Sequence, residues 1–260
     1  MEVRAPAVAG VFYPLDPPEL RAAVRSYVAE GRAEVSVPKA IIAPHAGYVY
    51  SGPIAGSAFA TLASLRGRIT RVVLIGPAHR VAFEGLALPE ADAFATPLGL
   101  VTVDRDARKA LLALPRVLAS DRAHAGEHSL EVELPFVQEV LGGVSLVPIA
   151  VGDASDVETA RALELVWGGP ETCVIVSSDL SHYHSYATAQ RRDRATARAV
   201  ERLAPEDIGE EDACGQIGVR ALLRAARARA LHATTLDLRN SGDTAGARER
   251  VVGYGAFSFA

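Results

Sequence analysis

Thr172-Cys173-Val174-Ile175-Val176-Ser177-Ser178-Asp179-Leu180-Ser181-His182-Tyr183-His184 is the stretch on which the fold turns. Its first half is an uninterrupted β-branched run, the signature of a strand buried on both faces. Its second half turns polar at once, with a carboxylate and imidazoles crowded into one loop. The same change recurs at Lys39–Ala43, which leads into Pro44-His45-Ala46-Gly47-Tyr48, and at Arg71–Ile75, which leads into Gly76-Pro77-Ala78-His79. Val144–Val151 is a further buried run, and Leu231–Leu238 and Val251–Phe259 read as closing strands. Amphipathic stretches lie between them: Pro17–Glu30, Pro53–Leu65, Asp104–Leu114, Leu130–Leu141, Asp153–Trp167, Tyr186–Leu203 and Gly215–Arg229. Ser51-Gly52-Pro53 offers a cap followed by proline in a first helical turn. Strand–helix alternation of this kind predicts an α/β fold with a mostly parallel central sheet flanked by helices. No Ser- or Pro-rich linker interrupts it, so residues 1–260 are expected to form a single domain.

Composition narrows the function classes. The chain is 49% hydrophobic and 22% charged, which excludes a disordered protein. A net charge of −4 argues against a protein built to neutralise nucleic-acid phosphates. The Arg191–Arg202 stretch carries acids in and after it and reads as a solvated helix face. The longest apolar runs fall far short of the ~20 residues that span a bilayer, so no membrane partner is expected. Met1-Glu2-Val3-Arg4-Ala5-Pro6 lacks a basic-then-apolar layout, and a cytoplasmic location is expected. Two cysteines, Cys173 and Cys214, are too few for a disulfide framework. Neither a Walker sequence nor GxGxxG occurs, and a Gly-x-Ser-x-Gly elbow is absent.

In open α/β sheets ligands bind beyond the carboxyl ends of the strands, so the polar loops are expected to converge there. His45 and His79 each follow a buried strand and a proline. Each could cap a strand end, but two in matching contexts with carboxylates nearby point to a metal site. Asp179 and His182 suit an oriented acid–base pair, although Asp179 or Ser181 could equally cap the following helix. Glu127 and His128 lie just ahead of the helix expected at Leu130–Leu141 and are candidates for the pocket wall. Glu131 and Glu133 are explained by the helix macrodipole, which favours acids in a first turn. Cys214 precedes another helix and is either a nucleophile or a packed neighbour of the site.

Taken together, Arg4-Ala5-Pro6-Ala7-Val8-Ala9-Gly10-Val11-Phe12-Tyr13-Pro14, Pro44–Tyr48, Gly76–His79, Glu127–Ser129, Ser177–His182 and Gly253-Tyr254-Gly255-Ala256 resemble the Memo family, also called AmmeMemoRadiSam system protein B. The resemblance covers nearly the whole chain. It implies a fold similar to class III extradiol dioxygenases, His45 and His79 as metal ligands, and Asp179 and His182 as the catalytic pair. It also implies iron(II), with zinc or copper as other metals, and companions of radical-SAM and AMMECR type. Animal members use a cysteine as third ligand in the last loop, where this chain has Asn240-Ser241-Gly242-Asp243. Asp243 is the substitute expected there, and a local turn is the competing reading of that loop.

These readings favour a non-haem iron-dependent, dioxygenase-like oxidoreductase acting on a small molecule. His45, His79 and Asp243 would hold the metal, and Tyr48, Glu127, His128 and Cys214 would line the pocket. A non-catalytic scaffold that uses the cleft for a peptide or partner protein is the alternative, and zinc-assisted hydrolysis is a third reading.

Overall fold

A computed structural model describes residues 1–31 and 36–260. In chain order its strands are β1 Val3–Arg4, β2 Ala40–Ala43, β3 Arg71–Pro77, β4 Leu86–Leu88, β5 Ala93–Thr96, β6 Gly99–Val103, β7 Val117–Ala119, β8 Ser145–Val151, β9 Thr172–Ser177, β10 His182–His184, β11 Ala233–Asn240 and β12 Val251–Phe259. The helices are α1 Pro17–Glu30, α2 Tyr48–Ala60, α3 Arg105–Leu111, α4 Asp121–Ala125, α5 Leu134–Val140, α6 Asp156–Val166, α7 Tyr186–Glu201 and α8 Gln216–Ala228.

The four buried runs form the middle of one sheet. The neighbours β6-β8-β3-β9-β2 are all parallel. Period-two alternation along these strands feeds two separate cores. Ile41, Val72, Leu74, Cys173 and Ile175 face one apolar cluster with residues of α1, α2 and α5. Ile42, Val73, Ile75, Val174 and Val176 face the other, with residues of α3, α6, α7 and α8. Cys173 is fully buried and packs as a small hydrophobe, and burial pushes its thiol up to about 12.

Around that centre the sheet is mixed, so the expected parallel pairing describes its central strands and not the whole sheet. Six pairings among the described strands are parallel and five antiparallel. The reason is connection length. β5 and β6 are joined through Pro97-Leu98 alone, which permits only an antiparallel pair. At the opposite side β12 runs back along β2 and carries β10 and β11 as antiparallel neighbours.

Helix α2 also departs from expectation. It begins at Tyr48 with Gly47 as its cap, not at Pro53. Ser51 lies inside the first turn, where its N–H donates to Gly47 O at 3.1 Å and its hydroxyl to Ala46 O at 2.8 Å. The Arg-rich helix α7 behaves as read: Arg192 pairs with Asp212 at 3.0 Å and Arg202 with Asp207 at 2.9 Å. Among the described residues no helix is long and apolar enough to cross a membrane.

Candidate metal centre

The polar loops meet where the parallel strands end. β2 runs out into His45, β3 into His79 and β9 into Ser178-Asp179. His128 arrives from the connection between α4 and the short 3-10 turn at Glu131–Glu133. One ligand atom from each of His45, His79 and His128 lies within 4.8 Å of the other two. The ring centroids are 5.2 Å apart for His45–His79, 5.5 Å for His45–His128 and 4.7 Å for His79–His128. Nitrogens that share one ion at ~2.1 Å stand at most about 4.2 Å apart, so a small inward rotation of the rings completes the set.

Outer groups fix which nitrogen two of the histidines, His45 and His79, offer. Ser177 Oγ donates to Ser129 O at 2.6 Å and lies 2.8 Å from His45 Nδ1. Its one proton is thereby used, so His45 Nδ1–H donates to it and Nε2 keeps the lone pair. Glu133 Oε1 also touches Ser177 Oγ, at 2.9 Å. Burial holds the Glu133 carboxyl well above the ordinary range. A protonated Glu133 then donates to Ser177, and the hydroxyl is satisfied on every side.

His79 is held by a carboxylate. Its Nδ1 lies 2.9 Å from Glu127 Oε1, and its backbone N–H donates to Glu127 Oε2. Glu127 Oε1 also accepts the N–H groups of His128 and Ser129, each at 2.9 Å. Burial alone would raise the Glu127 pKa, yet these donors outweigh it and hold the group well below the carboxylate range. An ionised carboxylate on Nδ1–H orients the ring and leaves His79 Nε2 free, an arrangement common behind metal-bound histidines.

His128 stacks on His79 and keeps a buried Nδ1 without a hydrogen-bond partner. That atom is 3.3 Å from Glu127 Oε1, but out of line with an oxygen that already accepts three donors. Burial lowers the His128 pKa to about 4 and puts that of His45 well below its ordinary value. Both rings are therefore neutral at pH 7, with lone pairs available. An orphaned imidazole nitrogen beside two oriented ones is the donor chemistry a transition metal fits.

Asp179 and His182 complete one cleft of about 620 Å³ with these three histidines. Asp179 Oδ1 accepts the His45 N–H at 2.8 Å, and burial raises its pKa to about 7. His182 Nδ1 lies 2.8 Å from Leu180 O, so it carries the proton and Nε2 is the basic atom. Burial lowers the His182 pKa and favours the neutral ring.

Three expected site residues stand elsewhere. Tyr48 is core: it packs against Tyr13, Tyr27 and Phe136 and donates its hydroxyl to Val132 O at 2.8 Å. Because α2 starts one residue after Gly47, Val49 and Tyr50 line the cleft in its place. Asp243 does not join the histidine group. Its Oδ2 accepts the Asn240 N–H at 3.0 Å and its Oδ1 accepts the Tyr186 hydroxyl, so both oxygens serve a capping turn. Cys214 is not on the cleft wall but touches His45 on its metal-facing side, with Sγ 3.3 Å from Nε2, and burial raises its thiol pKa.

The sequence reading passed over Ser177, Glu133 and Glu131. The Ala43↔Ser177 register across β2 and β9 puts the serine beside the His45 strand, a signal visible only once those strands are paired. Glu131 and Glu133 are fully buried, which corrects the macrodipole explanation. Glu131 pairs with buried Arg4 and accepts from Ala7 N at 2.7 Å, Val8 N at 3.0 Å and Tyr13 Oη at 2.6 Å. It ties the N-terminal segment down beside the cleft.

Known proteins are similar to this chain over nearly its whole length. A family model described as Memo-like protein matches residues 4–258. A MEMO1 family protein of Thermotoga petrophila is 37% identical, covering 96% of this chain and 97% of its own. Its counterpart in Aquifex aeolicus is 35% identical over 98% of both chains. The one in Methanothermobacter thermautotrophicus is 35% identical, over 98% of this chain and 100% of its own.

Proposed function

The chain belongs to the Memo-like family, and from that premise we propose that it is a mononuclear metal protein acting on a small molecule, with His45, His79 and His128 as ligands. The observation that carries this is the convergence of the three rings, two of them with Nδ1 already held by Ser177 and Glu127. His128 takes the place that sequence reasoning gave to Asp243. The metal proposed is iron(II), on the family resemblance. The carboxylate argument for iron no longer applies, because the ligand set is all imidazole. That set favours zinc as the second reading, since three histidines with an open position also suit a zinc centre.

The bound ion would supply Lewis acidity and, if iron, one-electron chemistry at the open positions. The protein's own residues do the rest. His182 Nε2 takes or returns a proton on a molecule in the cleft. Asp179 fixes the His45 loop through the backbone N–H and can hold a proton near neutrality. Phe12, Val49 and Tyr50 shield one side of the cleft with apolar surface.

Anaerobic purification, loading with iron(II) or zinc, and metal analysis test the reading. One equivalent of metal that is lost in His45→Ala and in His128→Ala supports it. No retained metal after loading with either ion overturns it and leaves the cleft to a scaffold function.

A further inference from the structure

The mouth of the cleft is chemically lopsided. Its wall includes Val11, Val49, Tyr50 and Tyr183, exposed by 78, 63, 39 and 63% respectively, an unusual amount of apolar surface around one opening. Two cations, Arg80 and Arg250, line the same cleft. Among the described residues neither guanidinium has a carboxylate partner, so both charges are open to a ligand in the cleft. The one carboxylate on the lining is Asp179, which is buried and turned to the His45 N–H.

Backbone strain is spent at the same place. Tyr183 has φ of 62° and sits at a register shift in β10, where His182 pairs with Val252 and His184 with Val251. A left-handed tyrosine in a bulge is costly and re-aims its neighbours. Here it leaves His182 facing the cleft and puts the Tyr183 ring on the rim, with Arg250 Cζ 5.2 Å from the ring centroid. A stacked guanidinium is held in place with its N–H edge still free, a geometry suited to a carboxylate or phosphate oxygen.

We propose that the cleft selects small organic acids: an anionic group read by Arg80 and Arg250, on an apolar body that rests against Val49 and Tyr50. The proposal rests on the reading of this cleft as a small-molecule site, and makes the two arginines its specificity-determining residues. It does not depend on the ion.

Calorimetry on the full chain, stripped of metal with a chelator and separately loaded, tests it with phenylacetate and its neutral isostere phenylacetamide. Phenylacetate is expected to bind at least tenfold tighter than the amide in both forms. Arg80→Gln and Arg250→Gln should each cost roughly tenfold for phenylacetate, as loss of a charge-assisted hydrogen bond does, and leave the amide unchanged. Both arginines are exposed, so neither substitution should unfold the protein, which circular dichroism checks. Equal binding of acid and amide, or of acid to wild type and both variants, overturns the proposal. Discrimination confined to loaded protein and indifferent to both substitutions also overturns it, because the ion is then the anion reader, and the metal reading survives. Discrimination in a protein that never retains metal upholds the proposal while the metal reading falls.

Discussion

The His79 loop and the Asn240–Asp243 loop leave the same edge of the sheet, and each carries a side chain able to ligate a metal. β3 ends in Pro77 and delivers His79, and β11 ends in Asn240 and delivers Asp243. They differ in how their polar atoms are used. His79 has its backbone N–H and its Nδ1 on Glu127, so its remaining nitrogen is oriented and free. Asp243 has one oxygen on Asn240 N and the other on the Tyr186 hydroxyl, so both are engaged in local contacts, away from the three histidines. A ligand is therefore distinguished from a turn residue by what its other atoms already bind, more than by its type or its place in the chain.

The sharpest way to break this comparison is to remove one candidate from each loop. His79→Ala and His128→Ala are each expected to lower affinity for iron(II) or zinc by more than about 100-fold, since loss of a direct ligand should exceed the 10–100-fold typical of outer partners. Asp243→Ala should leave that affinity within about twofold. Titration of metal into the three chelator-stripped variants measures both. A large loss in Asp243→Ala with His128→Ala unaffected would return the third position to the carboxylate.

The next effect is smaller and tests why His79 is free. Glu127→Gln keeps the size of the side chain but removes the charge behind His79 Nδ1–H. Metal affinity should fall about 10–100-fold, the range for carboxylates behind ligating histidines. The same titration, with His79→Ala as the reference, checks it. A loss equal to that of His79→Ala would mean that Glu127 holds the loop itself and does more than tune the ring.

How much of this was legible follows from how local each signal is. Strands β2, β3, β8 and β9 announce themselves through continuous apolar runs, and α1 through its helical period. β1, β4 and β7 have two or three residues each, and only their partners make them strands. His45 and His79 could be read because each follows a strand the sequence declares. His128 could not be separated from Glu127 as ligand against support, because that depends on which of them faces the other rings. Tyr48 illustrates the cost of a misplaced cap: starting α2 at Pro53 leaves Tyr48 in a loop facing the site, while starting it at Gly47 turns Tyr48 into the core. Arg80 and Arg250 carry no motif at all, and their shared cleft exists only in the folded chain.

Asp193 sharpens the comparison from a third side. Like Glu127 it is a buried carboxylate beneath this edge, but it accepts one backbone donor, Ser181 N at 3.1 Å. With so few donors burial wins, and the Asp193 pKa rises from 3.8 to about 6. The folded state then binds more protons than the unfolded one between those two values, so this group's effect on stability is unfavourable and grows as pH rises through that window. Asp193→Asn should flatten the pH dependence between about 4 and 6 and raise stability at pH 7 by roughly 1–2 kcal/mol, discounting the full linkage for solvent access. Urea unfolding of both proteins at a series of pH values checks the slope as well as the sign. A steeper decline in the variant would show that the carboxylate is stabilising in its ionised form.

The smallest effect belongs to the turn. Asn240 and Asp243 form a reciprocal cap, with the Asn240 side chain on Gly242 N at 2.9 Å and the Asp243 side chain on Asn240 N at 3.0 Å. Asp243→Ala frees the Asn240 N–H and removes the acceptor for Tyr186, and loss of a cap of this kind typically costs about 1 kcal/mol. Asp243→Asn keeps an oxygen for the Asn240 N–H and should recover most of that loss in denaturant unfolding. Tyr186→Phe should cost less still, because the ring stays in place against Arg248, whose Cζ lies 4.5 Å from its centroid, and the hydroxyl is exposed to water. If these variants followed the predicted order in stability while all kept metal, Asp243 would be a turn residue and nothing more. If Asp243→Asn unfolded like wild type but lost metal, a capping oxygen would have been ligating after all, and the distinction drawn between the two loops would fail at its own test case.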